Sequence, residues 1–159
     1  MGTNAENAYE KFKAAVGESE GTGEWLEVTQ DRINQFADVT EDHQFIHIDP
    51  ERSAELSPWK VTIAHGFLTL SLLTKLDASI PKDMSRYEGV MMGVNYGFEK
   101  VRFINPVKVG SRIRATSVLA AVDLKDPTTV QTTRTMTVEI DGETKPALVA
   151  DWITRIVFG

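Results

Sequence analysis

Cysteine is absent from all 159 residues, which excludes disulfides, thiolate zinc sites and thiol nucleophiles and agrees with a reducing compartment. Runs of lysine and arginine are absent too. Seventeen basic residues stand against 23 acidic ones, a net charge of −6, so the long-range field repels phosphate backbones and anionic lipid surfaces. Nucleic-acid binding is therefore not expected. No apolar run reaches the ~18 residues that span a bilayer, and the opening "MGTNAENAYEKFKAAVGESEGTGE" has no apolar signal region. The expectation is no membrane association and a cytoplasmic location. Neither G-x-G-x-x-G nor G-x-x-x-x-G-K-[ST] occurs, nor any internal repeat or low-complexity segment. Histidine is scarce, with three in the whole chain.

What is present looks like an ordinary globular domain: 42% hydrophobic and 25% charged residues, in a length suited to one core. An N-terminal helix is expected over Asn4 to Val16, followed by linker-like "GESEGTGE" at 17–24. Residues 1–23 are thus read as helix and linker, and residues 24–159 as the main domain. A short strand is expected at Trp25 to Val28. Thr29 then suits a helix N-cap, with Ile33, Phe36 and Ala37 on one face of a helix ending near Thr40. Asp49-Pro50 reads as N-cap and first helical residue of "PERSAEL". In "HGFLTLSLLTKLDASI", His65 to Ile80, apolar residues cover most of the circumference, which implies a helix buried on all sides. From Tyr87 onward the pattern is of long strands, with turns at Asn105-Pro106, Gly110 and Asp141-Gly142. Helices followed by antiparallel strands indicate an α+β domain with the apolar helix packed on the sheet.

Two of the three histidines fall in "VTEDHQFIHIDP", Val39 to Pro50. The H-x-x-x-H spacing of His43 and His47 matches a zinc-binding helix, but Gln44 stands where a metalloprotease needs its general-base glutamate. Asp49 precedes proline, which disfavours a helix through both histidines. A metal site is not expected. A plain polar turn is the bland reading. Against it, Phe45, Ile46 and Ile48 surround His47 and drive it toward the core, where an imidazole needs a partner; Asp42 is the nearest in sequence. A carboxylate and an imidazole in one semi-apolar pocket is an arrangement that moves pKa values toward neutrality. His43 is expected to face solvent.

"TEDHQFIHIDPERSAE" followed by "TIAHGFLTLSLL" resembles the MaoC-like (R)-specific enoyl-CoA hydratases, in particular the branch related to the nodulation protein NodN. Their signature runs roughly S/T-G-D-x-N-P-L-H-x-D, and Thr40 to Asp49 keep its spacing without gaps. The departures are Glu41 for Gly, Gln44 for Asn and Phe45 for Pro. The resemblance extends from about residue 24 to the end and includes "VRFINPVKVGSRI". It implies a hotdog fold, an antiparallel β-sheet wrapped around a long central α-helix, here residues 66–80, and a homodimer joined along an exposed sheet edge.

The activity implied is reversible syn addition of water to a trans-2-enoyl thioester, giving an (R)-3-hydroxyacyl thioester. By the motif, Asp42 and His47 hold and activate the water and relay a proton, and the backbone N–H of Gly66 holds the charge on the thioester oxygen. That last role also suits a helix start, whose first N–H groups lack intrahelical partners. Gly66 equally suits a helix that starts against a crowded neighbour. His65 reads equally as packing or function. Gln44 offers an amide that can orient the water or the imidazole. Thr74 aligns with a serine hydroxyl of some relatives, or bonds the carbonyl four residues back. Asn95 suits either a strand-end turn or the edge of the site.

No cofactor is implied; coenzyme A is part of the substrate, with a carrier-protein thioester as the other form. Lys60, Arg102, Arg112 and Arg114 are available for its phosphates. Two alternatives stand beside this reading. One is a hotdog thioesterase, for which the helix lacks a carboxylate before Asp77. The other is a non-catalytic acyl-thioester-binding subunit.

Overall fold

The computed structural model describes residues 2–159. Helices α1 (Asn4–Ala14), α2 (Gln30–Thr40), α3 (Phe45–Ile48), α4 (Pro50–Leu56), α5 (Gly66–Ser71) and α6 (Leu73–Ala78) precede most of the sheet. The strands are β1 (Ser19–Thr22), β2 (Leu26–Glu27), β3 (Val90–Phe103), β4 (Arg112–Asp126), β5 (Thr129–Ile140) and β6 (Leu148–Phe158). All pairings are antiparallel, in the order β1-β4-β5-β6-β3, and β2 shares with β1 the outer edge of β4. The expected α+β architecture is observed, with the sheet curved around the α5–α6 stretch.

The caps form where side-chain chemistry predicts them. Thr29 Oγ1 accepts from the Arg32 N–H at 3.2 Å and Asp49 Oδ1 from the Arg52 N–H at 3.0 Å, each satisfying an otherwise unpaired first-turn donor. Pro50 occupies the first turn of α4, where its missing N–H costs nothing. Along β5 burial alternates strictly, Val130, Thr132, Arg134, Met136, Val138 and Ile140 all pointing inward, as a sheet with one covered face requires.

That covered face carries two apolar clusters. Leu68, Leu73, Leu76 and Ile80 pack on Ile113, Met136, Val138, Leu148 and Trp152. At the other end, Ala5, Ala8 and Phe12 of α1 pack on Leu119, Val130, Ile156 and Phe158. Between them runs a polar seam of buried Ser117, Thr132 and Arg134.

Two expectations change. "GESEGTGE" is not a linker, because Ser19–Thr22 is a sheet strand paired with Thr116 to Val118 of β4. One of its glycines marks a close approach: a Cβ on Gly23 would lie 2.3 Å from Ser79 Oγ and 2.9 Å from the Leu76 carbonyl, so only glycine lets the chain pass the end of α6. The central helix is not buried on all sides either. Phe67 is 68% exposed, and Ser71 and Thr74, which follow it at helical spacing, are exposed as well. The helix covers the sheet with one face and presents the other outward beside β3. It ends at Ala78, with a step at Leu72 whose N–H still bonds the Leu68 carbonyl at 2.9 Å.

Candidate active site

His47 lies on the four-residue helix α3 and is 7% exposed. The segment before α5 runs alongside, tied by the Ile63 N–H to the Ile46 carbonyl at 2.9 Å. That register sets the Ile63 carbonyl 2.7 Å from His47 Nδ1. A carbonyl can only accept, so Nδ1 carries the proton and Nε2 is left with its lone pair. Gln30 holds the same turn from the other side, its amide donating to the His47 carbonyl at 2.7 Å while its oxygen accepts from Thr62 Oγ1. Burial is the main influence on the ring and lowers its pKa below the ordinary 6.5; the Ile63 bond opposes that, the neighbouring His65 adds to it and Asp42 opposes it. His47 is therefore a neutral base at neutral pH.

The expected partner of His47 was Asp42, but the hydrogen bond is to Ile63, sixteen residues on, because backbone pairing brings that carbonyl in first. Asp42 sits at the mouth of the site with its side chain 51% exposed. Between the two stands His65. Its Nε2–H donates to the Asp42 backbone carbonyl at 3.0 Å, its ring is 3% exposed, and it stacks on His47 with centroids 3.8 Å apart. Donor atoms of Asp42, His47 and His65 all lie within 4.8 Å of one another. One small molecule can touch all three.

A cavity of about 220 Å³ opens beside this group, with His47, Gly66, Thr69 and Phe103 among its walls. Gly66 opens α5, the Leu68 and Thr69 N–H groups turning back to the His65 carbonyl; the N–H of Gly66 precedes the first such bond. A Cβ on Gly66 would meet the Phe103 ring at 3.0 to 3.1 Å. His43 faces outward as expected, with Nε2 2.9 Å from Asp38 Oδ1.

A family model described as "MaoC like domain" matches residues 11–140. The chain belongs to the MaoC-like domain family. This MaoC-like chain is 51% identical over 144 residues to 3-hydroxyacyl-thioester dehydratase Z of Mycobacterium tuberculosis, covering 91% of this chain and 92% of the relative. It is 49% identical over 143 residues to nodulation protein N of Rhizobium leguminosarum bv. viciae, covering 90% and 87%. Among solved structures, the (R)-hydratase of A. caviae superposes with a TM-score of 0.67 at 22% identity, over 87% of this chain and 94% of that one, a likeness of fold. The fold is the hotdog, and the protein is a hydro-lyase.

The MaoC-like motif now has a conformational meaning. Glu41, at the motif's glycine, ends α2 in the left-handed region with φ 61°, which glycine enters without a Cβ penalty. Gln44, at the motif's asparagine, is the N-cap of α3 and makes no side-chain cap bond; asparagine is the better cap. Phe45, at the motif's proline, is the first residue of α3, a position proline fits. The departures thus fall on positions that shape the turn, while Asp42 and His47 match the motif's aspartate and histidine.

The Gln44 side chain is exposed. Thr74 Oγ1 bonds the Ser71 carbonyl at 2.9 Å and lines a separate cavity with Asn95; neither touches the cavity beside His47. Arg112 and Arg114 are paired with Asp141 and Glu139, whereas Lys60 and Arg102 bond backbone carbonyls. Sequence reasoning missed Gln30 and Thr69 altogether. The one available signal for His65 was its place directly before the helix-starting glycine.

Proposed function

We propose that the protein catalyses reversible syn addition of water to trans-2-enoyl thioesters, giving (R)-3-hydroxyacyl thioesters. The observation that carries this is His47, buried and neutral, with Nδ1 tied to Ile63 and Nε2 bare, beside the Asp42 carboxylate. Water held between them gives a proton to Nε2 as its oxygen bonds C3, and a proton from the same pair goes to C2 on the same face. Negative charge gathers on the thioester oxygen, where the Gly66 N–H faces it. The relative from M. tuberculosis is named for the reverse reaction, loss of water from a 3-hydroxyacyl thioester. No cofactor takes part, and coenzyme A is the carrier portion of the substrate, with Lys60 and Arg102 as the cations for its phosphates; an acyl-carrier-protein thioester is the alternative carrier.

The thioesterase reading needs a free carboxylate on the central helix. Asp77 is held by Lys82 at 2.6 Å and by Arg134 at 3.4 Å, so its charge is already engaged. The non-catalytic binding reading leaves the orientation of His47 without a use.

A homodimer joined along β3 completes this reading. β3 pairs with β6 on one side and its other edge is open, while Met91, Met92, Tyr96, Phe103 and the neighbouring Phe67 are each about half exposed or more. An open edge with apolar side chains favours pairing with a copy of itself. Sedimentation velocity at micromolar protein checks it, and a monomer as sole species rejects it.

The decisive experiment is incubation with crotonyl-CoA, with and without a chelator, following loss of enoyl-thioester absorbance and resolving the product on a chiral column. The (R)-3-hydroxy product at an unchanged rate is expected. Exclusive (S) product, or no product, overturns the assignment.

A further inference from the structure

Beyond the 220 Å³ cavity at His47 lies another of about 480 Å³, within the range of small-molecule sites. Met84, Val94 and Trp152 supply apolar wall, but Asp77, Lys82, Tyr87 and Arg134 also face it. Arg134 is 5% exposed and held on three sides, with Nε 3.2 Å from Glu20, Nη1 3.4 Å from Asp77, and Nη2 donating to the Tyr87 hydroxyl at 2.9 Å. Since the Tyr87 oxygen accepts that bond, its own hydrogen remains to be donated. No acceptor for it occurs among the described residues. Burial raises the phenol's pKa, so the proton stays in place at neutral pH. Lys82 bonds Asp77 at 2.6 Å and has two further donors. The Asp77 carboxylate on that wall is already paired with Lys82 and Arg134, which leaves the Tyr87 hydrogen and the two further Lys82 donors to meet a ligand.

The cavity is placed for the far end of a substrate. Thr74, on its wall, stands about 12 Å along the helix from Gly66 at 1.5 Å per residue. Antiparallel pairing of two β3 edges would also set the Val90–Asn95 half of one strand against the Phe103 half of its copy. By either route the cavity meets an acyl tail and not the reacting carbons.

Resting on the hydratase reading, we infer that this protein selects acyl chains with an oxygen function at the distal end, a carboxylate or hydroxyl that accepts from Tyr87 and Lys82. A methyl terminus would displace the water that otherwise meets those donors and offer no acceptor in its place, which is more costly than a missing attraction.

The test compares trans-2-decenoyl-CoA with its ω-carboxy and ω-hydroxy analogues, with crotonyl-CoA as a short reference that normalises for folded enzyme. An advantage of at least tenfold in kcat/KM for an oxygenated chain is expected, and which analogue leads tells carboxylate from hydroxyl. In Tyr87→Phe and Lys82→Met that ratio should fall toward one; both are milder than removing Arg134, whose loss strands two buried carboxylates. Calorimetric binding of the saturated ω-carboxydecanoyl and decanoyl thioesters gives the same comparison without turnover. If crotonyl-CoA is not hydrated but the oxygenated thioester binds more tightly, hydration fails and the tail site stands. Equal kcat/KM and equal affinity for oxygenated and methyl-ended chains, or an advantage that survives in both variants, overturns the inference.

Discussion

Replacing Gly66 with alanine separates two explanations of that residue. The new methyl would lie 3.0 to 3.1 Å from three Phe103 ring carbons, where carbon–carbon contacts prefer about 3.5 to 4.0 Å, so the ring must retreat by about 0.5 Å. Phe103 is 49% exposed in the single protomer, at the proposed β3 seam, so a shift of that size displaces no buried core side chain. The strain is therefore modest, and alanine's better helix propensity, up to about 1 kcal/mol, offsets it. Stability should change by less than about 1 kcal/mol, or under about 4 °C in Tm for a chain of this size. Activity should respond far more, because the methyl intrudes on the cavity that receives the thioester oxygen. A displacement of about 1 Å at that point costs on the order of 10²-fold in kcat/KM. The assay is crotonyl-CoA hydration with thermal melts on Gly66→Ala, Phe103→Leu and the double variant. The double variant should recover Tm and remain slow. Recovery of the wild-type rate once Phe103 is trimmed would show that the glycine only makes room for that ring, and the oxyanion role would be refuted.

Asp42→Asn and His47→Gln should each lower turnover by on the order of 10²- to 10⁴-fold, with the double variant little worse than either single, since one loss already leaves the water unactivated; His43→Gln is the control, and full activity in either single variant would refute the pairing. The depressed pKa of His47 sets a direction for stability: below the ordinary value of 6.5 the unfolded chain takes up a proton that the native ring refuses, so this contribution is whole above that pH and is lost as pH falls toward the folded-state value. Urea unfolding between about pH 5 and pH 7 should show stability rising with pH, less steeply in His47→Gln; an equal slope in both proteins counts against the burial argument. At Glu41, φ 61° strains any residue with a Cβ by about 1 kcal/mol, whereas glycine costs about 0.4 to 1 kcal/mol through the unfolded chain. Glu41→Gly should therefore be near neutral in urea melts and Glu41→Val clearly destabilising; equal stability of the two would reject this account.

What was legible in the sequence was local. Thr29 and Asp49 announced helix starts because a capping side chain reaches an N–H two or three residues away, and the alternation in β5 announced a half-buried strand because side chains repeat every second residue. The proposed pairing of Asp42 with His47 came through the resemblance, residue by residue. What escaped depended on pairing across many residues: Ile63 as the partner of His47, Gln30 clamping the same turn from α2, and His65 set between the dyad members. β1 escaped because the glycines in and around it look like a linker until Gly23 is seen to pass the end of α6. In each case a residue of ordinary type takes its role from a backbone register that no short window contains.

The seam through Ser117, Thr132 and Arg134 divides the covered face so that α1 shares its apolar cluster with the sheet ends and not with the α5–α6 stretch. Loss of the α1 cluster would leave the packing around His47 and Gly66 whole. The two clusters are therefore expected to open separately: amide protons of α1 should exchange through sub-global openings that those beneath α6 do not share.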